Sequence, residues 1–451
     1  MSEDERVGEL RGSLAGSVIG PEDPGYDEAR RCFNLLVDRR PALIARCTGP
    51  GDVAAAFDFA RSAGLEVAVR GGGHNPAGHC VCDDGLVIDL TALRAVEVDR
   101  DAGVARSGGG ATWLDFDAAT QAAGLVTPGG VVGSTGVCGL ALGGGIGHLT
   151  SQHGLTCDNI VGAEIVSPDG TVTTAGPDGD EELLWALRGG GGNFGVATRL
   201  DFRLHPLEQV VGGVLRYRGD RVGETLRVFR DTVARAPREL SCQAVIGTDE
   251  ALTPTVTVVP CYTGEDADPE ALTTLRGAPG LVEDGLRRHG FLEQQRVFDS
   301  PYGVDRNYWK GHFVDELPDE LIDELLRRIV ALGRPPGTIL IESLHGGPKD
   351  PDLPAGALGF RDAAFNISAM ACWLDSDLDA EHIAWARETA AAIEPWSTSG
   401  GGYMNYMQAD EPIERVRAAF GPEAFDRLQA LKTHFDPGNV LHRNQNIPPS
   451  A

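Results

Sequence analysis

A run of three glycines followed by a histidine could bind the phosphates of a ligand. The segment VAVRGGGHN at 67–75 predicts a strand that runs into three glycines, His74 and Asn75. Backbone N–H groups in such a turn form a concave anion site, and glycines let a pyrophosphate approach the main chain closely. His74 would then stand at the edge of the group that carries the phosphates. A plain glycine turn with a surface histidine explains this segment equally well on its own.

A second glycine-rich segment lies at 128–149, with the sequence PGGVVGSTGVCGLALGGGIGHL. It contains nine glycines together with Ser134 and Thr135, and it shows no strong helix or strand period. An irregular stretch of roughly 20 residues is uncommon in a compact domain unless it binds something. The two segments together indicate a ligand that lies against the main chain at several points.

Two common nucleotide-binding motifs are excluded. Each of the three lysines follows a residue other than glycine, so the chain has no Gly-Lys pair of a Walker-type loop. The pattern G-x-G-x-x-G does occur, at Gly190, Gly192 and Gly195, but it follows a predicted helix and precedes a predicted strand. A Rossmann fold needs the reverse order. Neither nucleotide hydrolysis nor a Rossmann-type dinucleotide site is therefore expected.

A metal site is also disfavoured. His74, His79, Cys80 and Cys82 have the spacing H-x4-H-C-x-C, which matches no common zinc motif. The cysteines at 138, 157, 261 and 372 lie in apolar or strand-like segments, so they are expected to be small core residues. No nearby basic residue marks any of these four as an activated thiolate.

Charge and composition limit the partners and the location. The 451 residues carry 39 basic and 66 acidic side chains, a net charge of −27. Such a surface repels phosphate backbones, so nucleic acid is not expected as a partner. No apolar stretch of about 18 residues predicts a membrane span. The acidic first ten residues and the odd number of cysteines, nine, favour a reduced, cytoplasmic protein.

The coarse pattern predicts an α+β protein with a change of character near residue 207. Residues 1–37 are interpreted as a lead-in with a short helix near Phe33. From residue 38 to 207 strands alternate with helices, as in the helix predicted over 52–64 and the strand over 196–204. Val- and Thr-rich strands with long acidic helices follow over 208–405, which suits a sheet covered on one face. The tail, 406–451, predicts one helix over 411–435.

Motifs in order along the chain resemble the FAD-linked oxidases of the berberine bridge enzyme type. They are RPALIARC, VRGGGHN, GLVIDLT, GGATWLD, the glycine-rich segment that begins at Pro128, LLWALRGGGGNFGVAT, YMNY and FDPGNVLHRNQNIPP. The similarity runs from about residue 40 to the C-terminus. It implies an FAD-binding domain of the PCMH type, made of two α/β subdomains and completed by the C-terminal segment. An inserted substrate domain, an antiparallel sheet covered by helices, forms the roof of the active site.

The resemblance also implies how FAD is held. The histidine of the RGGGH motif, here His74, is bonded in the family to the 8α-methyl carbon of the flavin. Many relatives form a second bond from a cysteine, but the corresponding position here is Val132, so one covalent bond is predicted. The remaining FAD contacts implied by the motifs are Arg70, Gly71, Gly72, Gly73, Asn75, Gly133, Ser134, Thr135, Gly136, Gly143, Gly144, Gly145, Gly147, His148, Asn159, Val196, Asn405 and Asn444.

A flavin accepts a hydride at N5 if a base takes the proton from the substrate, so the pocket should supply that base. Tyr403, in the YMNY motif, is the first candidate, provided that a neighbouring donor or cation lowers its pKa. Glu342 and Tyr262 point toward the flavin if the predicted strands alternate regularly. His148 and His345 are further candidates. For each of these, a purely structural side chain is the alternative.

The predicted function is that of an oxidase with covalent FAD that oxidises a C–OH or C–N group of a small metabolite and reduces O2 to H2O2. A flavin dehydrogenase that uses another acceptor is the alternative within the same cofactor class. A non-enzymatic flavin-binding protein and a glycine-rich carbohydrate-binding module are alternatives from other classes. The sequence leaves open whether the substrate is a polyketide, a sugar, an amine or an aromatic alcohol.

Overall fold

A computed structural model describes residues 3–266, 269–354 and 356–450. The N-terminal part contains a four-stranded sheet in which three strands are parallel and the outermost one is antiparallel. In spatial order its strands are Ser17–Ile19, Leu43–Arg46, Leu86–Asp89 and Val67–Arg70. The helices of this part are Glu3–Ser13, Tyr26–Arg30 and Pro50–Ala63. The predicted lead-in thus contributes an edge strand to this sheet, and its helix lies at 26–30, before Phe33.

The helix Pro50–Ala63 shows why the predicted elements form. Proline occupies the first helical turn, where its missing N–H is not needed. The helix ends at Gly64, whose φ of +67° is the left-handed conformation that favours glycine. Val53, Ala56 and Phe57 on its inner face are buried against the first sheet.

An antiparallel five-stranded sheet follows, with the spatial order Val96–Asp99, Val104–Gly108, Val196–Arg203, Ile160–Val166 and Val172–Ala175. A two-stranded ribbon pairs Leu125–Val126 with His205–Pro206. The helices and 3-10 turns of this part are Trp113–Gln121, Val137–Leu142, Thr150–His153, Thr156–Asn159, Glu181–Leu187 and Gly191–Asn193. The segment 128–149 was expected to have no regular structure, but it contains the helix Val137–Leu142.

The third unit is an antiparallel sheet of nine strands within the described residues. Seven strands follow one another in space as Leu281–Asp284, Leu215–Arg218, Pro254–Tyr262, Leu240–Thr248, Gly337–Ser343, Phe365–Trp373 and Arg306–Val314. Gln209–Gly212 pairs with the third of these and with Arg287–Gly290. The helices and 3-10 turns here are Val222–Val233, Glu270–Arg276, Phe291–Gln294, Asp319–Ile329, Gly347–Lys349, Ser376–Leu378, Asp379–Ile393 and Glu394–Trp396. We call the nine-stranded sheet the roof sheet.

The two faces of the roof sheet differ in what they cover. Cys242, Ala244 and Ile246 of one central strand pack into a core under the long helices. Gln243 and Val245 of the same strand face a cavity on the other side. The α+β fold with a helix-covered antiparallel sheet is therefore confirmed.

The C-terminal helices return to the N-terminal part. The helix predicted over 411–435 is two helices, Ile413–Phe420 and Pro422–Phe435. Gly421, with φ +80°, and Pro422 force the break, because a proline cannot continue the hydrogen bonds of the preceding helix. Phe420 and Phe425 join the hydrophobic core of the five-stranded sheet. No helix in the described part of the chain is long and apolar enough to span a membrane.

A buried lysine holds the C-terminal helices against the N-terminal part. The ammonium of Lys432, fully buried, donates to the Asp436 carboxylate at 2.7 Å and to the carbonyls of Asn193 at 3.0 Å and Leu441 at 2.9 Å. Asp436 in turn accepts from the N–H groups of Val440 and Leu441. Burial lowers the pKa of Lys432, and Asp436 counteracts this by favouring the charged form.

We predict that Lys432→Met lowers the free energy of unfolding by about 3–5 kcal/mol, because it leaves Asp436 buried without its counter-charge. Urea unfolding followed by circular dichroism measures this change. The matched control is Lys349→Met, an exposed lysine that donates to the Asp362 carbonyl, for which a change within about 0.5 kcal/mol is expected. Equal effects of the two substitutions would contradict the role given to Lys432.

Candidate active site between the glycine bed and the roof sheet

A cavity of about 650 Å³ lies between the roof sheet and the glycine-rich segments of the N-terminal part. The C-terminal tail closes it along one side through Leu441, Arg443, Asn444 and Gln445. A site assembled from three separated parts of the chain is typical of a cofactor-binding site that lies between domains. We call the glycine-rich side, formed by the lining residues of the segments 71–75, 130–146 and 191–197, the glycine bed.

Most of the FAD contacts implied by the sequence motifs line this cavity. They are Gly71, Gly72, Gly73, His74, Asn75, Thr135, Gly136, Gly143, Val196, Asn405 and Asn444. The two glycine segments that were recognised separately are in direct contact. A Cβ on Gly72 would stand 2.4 Å from the Gly136 nitrogen, and one on Gly136 would stand 2.5 Å from the Gly72 nitrogen. The glycines at these positions let the two backbones pack against each other.

Other glycines leave space for a ligand. Gly139 and Gly192 line the cavity, and a Cβ on either would meet no protein atom within 4 Å. At these two positions the protein itself does not require glycine. The open space next to the main chain fits a broad, flat ligand that lies on the glycine bed, as FAD would.

His74 stands at the edge of the glycine bed. Its ring stacks on Phe33 with 4.0 Å between ring centroids, and its Nε2 lies 3.2 Å from the Ser134 hydroxyl. Burial lowers the pKa of His74 to about 4. The imidazole is therefore neutral near pH 7 and has a free lone pair on one ring nitrogen.

Several predicted FAD contacts do not line the cavity. Ser134 is hydrogen-bonded to the lining residue His74 but is not itself part of the lining, and neither are Gly144, Gly145 and Gly147. Gly133 donates its N–H to Asp299 at 2.7 Å. These residues shape the glycine bed from outside.

Arg70, Asn159 and His148 also do not line the cavity. The Arg70 guanidinium lies on the other face of its strand and donates to the Ala29 carbonyl, because Val67 and Val69 take the cavity face. Asn159 is occupied by the carbonyls of His153 and Leu155 and by His205. His148 is buried against Phe298, and burial lowers its pKa to about 4.

Tyr403 lines the cavity but does not have the properties of a base. Its hydroxyl oxygen accepts from the N–H groups of Gly145 and Ile146 and from the Asn405 amide, each at 3.0 Å. Burial, with a smaller contribution from the Glu342 carboxylate, raises the pKa of Tyr403 despite these donors. The condition for Tyr403 to act as the base, a lowered pKa, is thus not met. Tyr403 instead holds the glycine bed in place through its oxygen.

Glu342 is placed better for proton transfer. It is fully buried on the cavity face of the roof sheet, two residues from the lining residue Leu340. Its carboxylate accepts from the Asn366 amide at 2.7 Å and from the Tyr406 hydroxyl at 3.3 Å. Burial raises the pKa of Glu342 to about 7, although both hydrogen bonds favour the charged form. Tyr406 itself lines the cavity, so it connects Glu342 with the space where a substrate would bind.

The other two candidates lie elsewhere. The prediction that Tyr262 faces the flavin is wrong, because its side chain packs against the core under the helices. It shares that side with Val256 and Val258 of its own strand. His345 lines a separate hollow of about 310 Å³ beside Asp315 and Glu316. Sequence reasoning missed Gln243, Trp309 and Tyr406, although Tyr406 belongs to the YMNY motif.

Comparisons with known proteins agree with this geometry. A model described as an FAD binding domain matches residues 41–176, and one described as berberine and berberine like matches 402–448. The (R)-6-hydroxynicotine oxidase of Paenarthrobacter nicotinovorans is 32% identical, with 97% of this chain and 98% of that protein covered. The chain belongs to the FAD-linked oxidoreductases of the berberine bridge enzyme type. Like its family, it is an FAD-dependent oxidoreductase that acts on a small molecule.

Solved structures show the same architecture. The crystal structure of 6-hydroxy-D-nicotine oxidase from Arthrobacter nicotinovorans superimposes with a TM-score of 0.87 at 30% identity, covering 97% of this chain and 99% of the other. Berberine bridge enzyme from Eschscholzia californica has the same fold, with a TM-score of 0.85 at 20% identity over 98% of both chains.

We predict that Gly139→Leu folds but loses FAD. Gly139 lies in the helix Val137–Leu142, where leucine is a better helix former than glycine, so stability should not fall. The leucine side chain would enter the space beside the glycine bed. Flavin absorbance per protein should therefore drop severalfold, with an unchanged or higher unfolding midpoint.

The matched control is Gly51→Leu. Gly51 lies in the helix Pro50–Ala63, outside the cavity, and a Cβ there also meets no atom within 4 Å. It should retain full flavin content. A Gly139→Leu protein with full flavin content would show that the ligand does not lie along this part of the bed.

Proposed function

We propose that this FAD-dependent oxidoreductase is an oxidase that removes a hydride from a carbon bearing an OH or N group and passes the electrons to O2. The observation that carries the proposal is the pair formed by Glu342 and Tyr406. The Glu342 carboxylate, which has a pKa of about 7, is connected to the cavity through the Tyr406 hydroxyl. It lies on the side opposite the glycine bed. The 32% identical relative is named as an oxidase of (R)-6-hydroxynicotine, a hydroxylated nitrogen heterocycle, which supports this substrate range.

When bound, FAD supplies a hydride acceptor at N5. The protein residues supply the proton acceptor and the orientation. The ionised Glu342 draws the proton of the Tyr406 hydroxyl, and the Tyr406 oxygen takes the proton from the substrate OH or NH in the same movement. Burial raises the pKa of Tyr406 as well, so its hydroxyl remains protonated before and after the transfer. Asn366 holds the carboxylate in place at 2.7 Å.

We also propose that one covalent bond, from His74, attaches FAD. The neutral imidazole is the nucleophile required for a bond to the 8α-methyl carbon. Two hydrogens leave in net, one from the imidazole and one from the methyl group, and O2 takes them as H2O2. A second bond from cysteine is disfavoured, because Val132 occupies the corresponding position and burial raises the pKa of Cys138 to about 12.

We predict that His74→Ala binds flavin that acid precipitation releases into the supernatant, whereas the flavin of the wild-type protein stays in the pellet. The matched control is His79→Ala, because His79 also lines the cavity with a pKa lowered to about 4 by burial. The His79 variant should keep its flavin attached. Flavin retained in the pellet by His74→Ala would assign the linkage to another residue.

We predict that Glu342→Gln slows anaerobic flavin bleaching by substrate about 10²–10⁴-fold, the usual contribution of a general base. In the wild-type protein the carboxylate is the active form, so the bleaching rate should rise with pH through about 7 and then level off. In Glu342→Gln this inflection should disappear. Stopped-flow absorbance across pH 5–9 measures both effects.

Glu324→Gln is the matched control, since Glu324 lies on a helix and pairs with Arg327 and Arg328, away from the cavity. Its bleaching rate should equal that of the wild-type protein. A Glu342→Gln variant with a normal rate and pH profile would remove Glu342 from the reaction.

The substrate for these measurements comes from a bleaching screen across hydroxylated polyketides, sugars, amines and aromatic alcohols. Peroxide formed at one equivalent per turnover supports an oxidase. Bleaching that is reversed by an artificial acceptor and not by O2 identifies a dehydrogenase.

A further inference from the structure

The cavity face of the roof sheet carries a glutamine that no part of the mechanism uses. Gln243 is 4% exposed and lines the cavity. Within the described residues neither its Oε1 nor its Nε2 has a hydrogen-bond partner. Because both atoms lack a partner, the observation holds whichever way the amide is oriented.

The surroundings explain why the Gln243 amide has no protein partner. Its neighbours across the sheet are Val259 on one side and Glu342 on the other. The Glu342 carboxylate is already bonded to Asn366 and Tyr406. The next residue on the same face of its own strand, Val245, is apolar. The amide therefore has both a donor and an acceptor without a protein partner, on the face of the strand that lines the cavity.

Such an arrangement is unfavourable for folding alone. A buried amide without partners costs roughly 1–3 kcal/mol relative to an apolar side chain of similar size. The buried Gln294 shows the contrasting case. Its Oε1 accepts from the Gly213 N–H at 2.9 Å and its Nε2 donates to the Pro260 carbonyl at 3.4 Å. Gln294 stabilises the fold, whereas Gln243 is explained by a ligand.

The same region excludes anionic ligands and favours a flat ring. Among the described lining residues, Arg443 is the only arginine or lysine, and it pairs with Glu66 at the tail, not at the roof. The Glu342 carboxylate beside Gln243 would repel a negative charge. Trp309 and Tyr406 form an aromatic corner, with ring centroids 5.4 Å apart and an edge-to-face angle of 84°. Such a corner packs well against a planar ring.

We propose that Gln243 recognises the substrate by pairing with a carboxamide- or lactam-like edge, an uncharged group that has a donor and an acceptor side by side, on a flat ring. The Gln243 Oε1 accepts from the substrate N–H and its Nε2 donates to the substrate carbonyl oxygen. This inference rests on the proposed function only in that the substrate binds under the roof sheet. It names the substrate class that the roof selects.

The test uses the flavin-loaded protein and three probes of similar size. Benzamide has the donor and the acceptor, acetophenone has the acceptor alone, and benzoate is anionic. Binding is followed by the perturbation of the flavin absorbance spectrum and by the shift of the unfolding temperature. Wild-type protein should bind benzamide at least about tenfold more tightly than acetophenone, with no response to benzoate, since a site built for both hydrogen bonds rejects ligands that lack one.

Gln243→Leu should bring the ratio of benzamide to acetophenone affinity close to one. Without a probe, it should unfold at the same or a higher temperature than the wild-type protein, because it removes an unpaired buried amide. Gln294→Leu is the matched control: it should unfold at a lower temperature and keep the wild-type ratio. This opposite pattern separates ligand recognition from a structural role.

The proposal is overturned if wild-type protein binds benzamide and acetophenone equally or binds neither, or if Gln243→Leu keeps the wild-type ratio. A Gln243→Leu protein that unfolds at a lower temperature would also overturn it, since the amide would then have a structural partner. Failure of the proposed oxidase function looks different. In that case the flavin-loaded protein discriminates between the probes as expected, but no substrate class bleaches the flavin.

Discussion

The position of the glycine bed depends on the buried ion pair of Lys432 and Asp436. The lysine ammonium joins the carbonyl of Asn193, which is 239 residues earlier in the chain, to the tail that carries Leu441. A charge in such a place is stable only when every donor has a partner, and here three acceptors surround it. The turn at 189–193, which contains Asn193, and the tail both line the cavity. The contacts of Lys432 therefore bring two walls of the cavity together.

The two surfaces of the cavity have different physical character. The glycine bed is made of main chain, with Gly72 and Gly136 in backbone contact, and it offers shape and N–H groups more than side-chain chemistry. The roof sheet offers side chains on alternate positions of rigid strands. Its row of Gln243, Glu342 and Asn366 crosses three neighbouring strands in register. A roof of this kind can change its substrate by single substitutions without disturbing the bed that holds the cofactor.

The sequence predicted the bed better than the roof. The glycine runs and the motifs around His74 match those of a known family in order along the chain, and the residues they indicated mostly line the cavity. On the roof, the two-residue period shows which residues share a face but not which face is inward. Tyr262 was therefore placed on the wrong side, and Gln243 was overlooked. The pKa of Tyr403 depends on burial, which no local pattern reveals.

The cofactor-binding part of the chain is split between residues 41–176 and 402–448, and this split affects the order in which its pieces are synthesised. The ribosome adds about 200 residues of roof between these parts, which takes roughly 10–40 s at ordinary rates of synthesis. Throughout that time the nascent N-terminal half exposes glycine-rich walls that have no tail to close them. Lys432 and Asp436 emerge only after the roof has been made. The cavity therefore has all of its walls only once the tail has been synthesised.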